Sequence, residues 1–179
     1  MRRIITPEER EYIKSKNIII KSRGLPIYEC IINSSWKEVG LANILISRQQ
    51  PDGNLVFGSY LVDIFCLGLK DTFCNANFTL SRYENELKAN KYFGEDIIDC
   101  PVSLAHQIIY GGIKYASKLG FKPQKDFGLS KYVLEKKSKI EKEYVNELEF
   151  GKDGKPFLFL GPYDDAELIA KKLKRNVNK

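Results

Sequence analysis

Residues 41–50 and 55–66 form two apolar runs on either side of Pro51-Asp52-Gly53-Asn54. An Asp-Gly centre suits the left-handed backbone of a tight turn, so the two runs are expected to pair as an antiparallel hairpin. In the second run Leu55, Phe57, Leu61 and Phe65 fall on one face of a strand, and Val56, Tyr60, Val62 and Ile64 on the other. Apolar residues on both faces require cover from both sides, which predicts a central strand. Few folds satisfy that condition without helices packed on a sheet.

The rest of the chain supplies them. Thr6-Pro7-Glu8-Glu9 reads as a helix start, with Thr6 as cap, Pro7 in the first turn and Glu9 completing a capping box. That basic N-terminal helix is expected over residues 6–17. A strand follows at 27–32, and a short helix is expected over 81–90 after a polar stretch. Residues 101–119 carry Val102, Ala105, Ile109, Ile113 and Ala116 at three- and four-residue steps, ending at Gly120. This predicts a long central helix with a left-handed stop. Gly111 and Gly112 inside it each cost about 1 kcal/mol relative to alanine, which points to close approach of helix and sheet. Asp153-Gly154 predicts a second hairpin, between 147–151 and 155–160. A basic C-terminal helix is expected over 164–175, with acid at its start and Lys171-Lys172-Leu173-Lys174-Arg175 at its end, as the helix dipole favours. The sequence thus predicts an α+β fold: a largely antiparallel sheet with two hairpins, packed against a long central helix and flanked by N- and C-terminal helices. With 179 residues and no linker-like tract, residues 1–179 are expected to form a single domain.

A 43% apolar and 12% aromatic content excludes a disordered chain. No apolar run is long enough to span a membrane, and Met1-Arg2-Arg3 leads into a charged segment, so a cytoplasmic location without membrane association is expected. Cys30, Cys66, Cys74 and Cys100 are widely spaced and only His106 could join them, so buried free thiols are expected rather than a zinc site. Charge is unevenly divided along the chain. Residues 1–30 carry seven basic and four acidic groups, 31–113 six and nine, and 114–179 sixteen and ten. Basic ends around an acidic centre attract polyanions. Arg2, Arg3, Lys122, Lys125, Lys171, Lys172, Lys174 and Arg175 are the candidate nucleic-acid contacts. Aromatics interleave with lysines at Lys114-Tyr115, Phe121-Lys122 and Lys131-Tyr132, a pattern that suits either RNA stacking or helix packing.

Catalytic signals are sparse. Asp63 interrupts an apolar strand, and a buried carboxylate must be paired, hydrogen-bonded or metal-bound. As a metal ligand it would need further carboxylates from Asp71, Asp96, Asp99 or Asp126. As a structural group it would bond Lys70 or loop amides near Gly68. His106 is the only histidine and lies on the apolar side of its helix, where a core role competes with that of a general base. No phosphate-binding or dinucleotide pattern is present, so no nucleotide or other cofactor is expected.

Four blocks stand together: Leu25-Pro26-Ile27 with Cys30 and Asn33; Leu61-Val62-Asp63 with Phe65-Cys66-Leu67-Gly68 and Lys70-Asp71; Leu119-Gly120-Phe121 with Pro123 and Asp126-Phe127; and Phe150-Gly151-Lys152-Asp153-Gly154-Lys155-Pro156. The set resembles an uncharacterised bacterial protein family over roughly residues 23–165. The resemblance implies a bacterial, cytoplasmic, single-domain protein and carries no activity or site residue. The expectation that follows is a non-enzymatic, nucleic-acid-associated accessory protein that binds RNA or the ribosome through its basic termini. Two other readings stand beside it. One is a metal-dependent nuclease or phosphohydrolase centred on Asp63. The other is a protein-interaction subunit of a defence or toxin–antitoxin system, for which an exposed apolar patch around Trp36 would speak.

Overall fold

A computed structural model describes residues 6–88, 96–136, 148–161 and 164–176. Helix α1 (Pro7–Lys21) opens with the capping box: Glu9 N–H donates to Thr6 Oγ1 and Thr6 N–H to the Glu9 carboxylate. It runs past the expected end at residue 17, because Ile18 and Ile19 pack on the core. Strands β1 (Ile27–Asn33), β2 (Leu41–Gln49), β3 (Leu55–Asp63), β4 (Gly68–Phe78) and β5 (Ile97–Asp99) form one sheet in the order β4-β3-β2-β1-β5. Every adjacent pair is antiparallel. The β2–β3 hairpin forms as expected, with Gly53 at φ +84° in its turn.

Two strands depart from expectation. The polar stretch after residue 67 is strand β4, at one edge of the sheet. Its Leu69, Thr72, Cys74 and Ala76 turn toward the core or lie near it, while Asp71 and Asn75 stay exposed. Strand β3 stops at Asp63, and residues 64–67 turn the chain into β4, which makes the second hairpin of the sheet. The turn expected at Asp153-Gly154 exists, with both residues at positive φ, but among the described residues it closes only one bridge, Lys152 to Lys155.

Helix α4 (Val102–Lys118) lies on one face of the sheet, its start and end shifted by a residue from expectation. Its Ala105, Ile108 and Ile109 meet Ile32, Ile44, Ile46, Val56, Tyr60 and Val62 in the main core. A Cβ on Gly112 would come within 2.6 Å of Val62 Cγ1, so the helix is held at a distance only glycine allows there. The same core takes in Trp36, from the short helix α2 (Trp36–Val39), and Val133 and Leu134, which follow α5 (Phe127–Ser130). On the opposite face Ile31, Leu45, Leu55, Phe57 and Phe78 meet Tyr83 and Leu87. Those two residues come from the π-helical turn over Tyr83–Lys88 that continues helix α3 (Leu80–Arg82). Strand β3 is therefore covered on both faces at its first half, while Ser59 and Leu61 further along are only half-buried. Helix α6 (Ala166–Asn176) seats Ile169 and Leu173 against Leu119, Phe121 and Ala116. Among the described residues, no helix is long and apolar enough to cross a membrane.

Candidate functional site

Asp63 ends β3, and its carboxylate is consumed by the following turn. Phe65 N–H and Cys66 N–H donate to Oδ1 at 2.9 Å each, and Leu67 N–H donates to Oδ2 at 3.1 Å. Burial pushes its carboxyl upward, opposed by those three backbone bonds and by Lys70 nearby. Lys70 itself pairs with Asp164, which also accepts from Gly161 N–H at 2.7 Å. The other carboxylates do not gather round Asp63. Asp71 is exposed and accepts from Thr72 N–H, Asp99 is exposed on β5, and Asp126 accepts from Gln124. Asp96 stands just before β5, at the opposite edge of the sheet from β4. Among the described residues no three His, Cys, Asp or Glu side chains are placed to hold a metal ion. Asp63 caps a turn.

His106 is 1% exposed, and both ring nitrogens are taken. Nδ1 lies 2.5 Å from Val102 O, so it carries the proton, and Nε2 accepts from Glu135 N–H at 2.9 Å. Burial pushes the imidazole pKa down to about 4. A neutral ring fixed at both ends among core residues has no free nitrogen for a substrate.

These bonds belong to a larger construction that residue types alone do not suggest. Residues 130–135 leave the end of α5 and run beneath the sheet without joining a strand, and each carbonyl among them accepts from a side chain elsewhere. Tyr60 donates to Ser130 O, Arg23 to Lys131 O and Leu134 O, Ser22 to Tyr132 O, Arg48 to Val133 O, and Tyr110 to Glu135 O. Arg48 is only 2% exposed. It also donates to Leu25 O at 2.6 Å and to Arg23 O at 3.2 Å, and its Nη2 lies 2.9 Å from Glu135 Oε1. An arginine at an inward position of a strand is a visible oddity in the sequence. Its partner Val133 O is a backbone atom 85 residues away, which no pattern of residue types identifies.

The basic residues separate into groups. Arg2 and Arg3 lie outside the described residues. Lys125 is exposed just ahead of α5. Helix α6 docks on the end of α4, where Asn176 Nδ2 donates to Leu119 O at 3.2 Å and the Lys172 ammonium lies 5.4 Å from the centre of the Phe121 ring. A Cβ on Gly120, at φ +86°, would reach within 2.4 Å of Asn176, so the turn is built to let α6 approach. This docking brings exposed Lys118 and Lys122 beside the helix that carries Lys171, Lys172, Lys174 and Arg175, of which Lys171, Lys174 and Arg175 are exposed. The interleaved aromatics pack instead of standing free. Tyr115 stacks on Phe150, Phe121 is buried under α6, and Tyr132 is half-buried beneath Arg23 and Lys131. Trp36 is buried in the main core at 4% exposure.

No family model, no curated protein and no solved structure matches this chain.

Proposed function

We propose that the protein is an RNA-associated accessory protein that grips the phosphate backbone of structured RNA through the basic surface shared by the end of α4 and α6. The observation that carries this reading is the docking of α6. It sets Lys118 and Lys122 beside the helix that carries Lys171, Lys172 and Arg175, although more than 45 residues separate the two groups in sequence. Phosphate binding needs such clustered cations, because each neutralised phosphate releases condensed counterions. The packed state of Tyr115, Phe121 and Tyr132 argues against a stacking platform for single strands and favours recognition by shape and charge.

Fluorescence anisotropy with a labelled RNA hairpin, titrated at several salt concentrations, tests the reading. Binding should weaken steeply with salt. Replacing Lys118, Lys122, Lys171, Lys172 and Arg175 by glutamine should cost at least about tenfold in affinity. It should also flatten the log–log salt dependence by roughly one unit of slope for each cation that no longer meets a phosphate. Arginine at the four lysine positions should preserve binding. Absence of association at low salt, or an unchanged affinity in the glutamine variant, would sink the proposal.

A further inference from the structure

Of the four free cysteines, two face one another. The β1–β5 register pairs Ile31 with Asp99 and Ile32 with Ile98, and so sets Cys30 opposite Cys100. Cys100 N–H donates to Cys30 O at 2.9 Å, extending the ladder by one pair. Directly opposed, hydrogen-bonded residues of an antiparallel pair have Cα atoms about 5.5 Å apart. That separation falls inside the range of about 4.4 to 6.8 Å that a disulfide spans. The Cα spacing therefore suits a bridge, while the opposed Cβ atoms, about 4.5 to 5.5 Å apart in such pairs, must close to about 3.5 to 4.5 Å.

The side chains are poised as well. The two thiols lie close enough to shift one another's titration, and the Cys100 thiol donates to Pro101 O at 3.5 Å. Cys30 lowers the Cys100 thiol, while Cys100 and burial raise that of Cys30, so Cys100 is the more readily ionised of the two. Both residues are buried at the edge of the core, with exposures of 8% for Cys30 and 6% for Cys100. The remaining thiols lack this arrangement. Cys66 sits in the α6 cluster, where burial pushes it up to about 12. Cys74 lies on β4, at the far edge of the sheet, and is pushed up to about 11 by burial.

We propose that Cys30 and Cys100 form a peroxide-responsive dithiol that closes to a cross-strand disulfide. The Cys100 thiolate attacks one oxygen of hydrogen peroxide and the O–O bond breaks. The departing hydroxide takes up a proton as water, leaving a sulfenic acid. Cys30 then gives up its proton and its sulfur attacks that of Cys100. The S–O bond breaks, and the leaving hydroxide with that proton forms a second water. Two thiols are oxidised by two electrons and one peroxide is reduced to two waters. The product fastens the start of α4 and β5, held by only three registered pairs, to β1.

Treatment of the full-length protein with a few equivalents of hydrogen peroxide, followed by intact mass and peptide mapping, decides the matter. The expected product has lost two hydrogens and yields one peptide pair joined between residues 30 and 100, reversed by dithiothreitol. Cys30→Ser should trap Cys100 as a sulfenic acid that dimedone labels, and Cys100→Ser should leave Cys30 reduced. The oxidised wild type should melt several degrees higher, since the bridge closes a long loop. Four thiols still free after peroxide, a link through Cys66 or Cys74, or no dimedone label in Cys30→Ser would each overturn the proposal. A lowered melting temperature on bridging would do the same, because it would mean the strands must distort to bring the sulfurs together.

Discussion

A histidine buried beneath a sheet is tolerated only if both nitrogens find partners, and His106 finds two backbone groups, Val102 O and Glu135 N–H. That arrangement ties stability to pH. Its pKa is pushed down from the ordinary 6.5 to about 4 by burial, with Arg48 and Arg23 adding to the shift and Glu135 opposing it. Between those values the unfolded chain holds a proton that the native ring refuses, so stability falls as pH drops through the window. Full stability is present above about pH 6.5, and going from pH 7 to pH 5 should remove about 2 kcal/mol through this group alone. Urea unfolding at the two pH values, compared with His106→Asn, should show that increment in the wild type and not in the variant. Equal pH dependence in both would refute the assignment. At this scale the sequence singles out the right residues and names loop amides near Gly68 as one alternative for Asp63, but leaves the partners of His106 open. Asp63 and His106 are both conspicuous as polar groups in apolar surroundings. Their partners are main-chain amides and carbonyls, present at every position and therefore invisible in residue type.

At the scale of elements, periodicity exposes α4, β2 and β3, because each buries a regular stripe or face. Strand β4 escapes it for a physical reason: as an edge strand it fills its outer side with Asp71, Asn75 and Asn77, which read as loop. Strand β5, three residues long, is defined by its pairing with β1 and carries no period of its own. The two glycines of α4 show how far an element's sequence reports on its neighbour. A Cβ at Gly112 would press on Val62 Cγ1 at 2.6 Å, a branched side chain locked in the sheet. One at Gly111 would press on Phe150, whose ring tip lies at 2.4 Å on a segment outside the sheet. Overpacking against the sheet costs about 1 to 3 kcal/mol, whereas alanine gains about 1 kcal/mol of helix propensity at either site. Gly112→Ala should therefore lower the denaturation midpoint clearly, and Gly111→Ala should leave it within about 0.5 kcal/mol of the wild type once Phe150 swings aside. The comparison fails if the two variants lose the same stability.

For the whole molecule, the decisive construction is the segment 130–135, whose carbonyls are satisfied by Ser22, Arg23, Arg48, Tyr60 and Tyr110. These donors come from the turn that follows α1, from β2 and β3, and from α4, so the segment ties the end of the N-terminal helix, the sheet and the central helix together. Buried irregular backbone is stable only when every polar group is paired, which makes the arginine fork at Arg48 hard to replace. A lysine there presents one ammonium where the guanidinium reaches Val133 O, Leu25 O, Arg23 O and Glu135 together. Arg48→Lys should cost about 2 to 4 kcal/mol, in keeping with breaking a buried charged network. The loss should also be local. Lys131 and Lys136 are exposed at the two ends of this segment, and trypsin should cut there sooner in Arg48→Lys than in Gly112→Ala adjusted by temperature to the same global stability. Equal cleavage in the two variants would mean that Arg48 supports the core at large and does not specifically hold the segment down. Preferential cleavage would establish that a charged side chain, buried to satisfy carbonyls remote from it in sequence, joins the segment after α5 to the sheet and the end of α1.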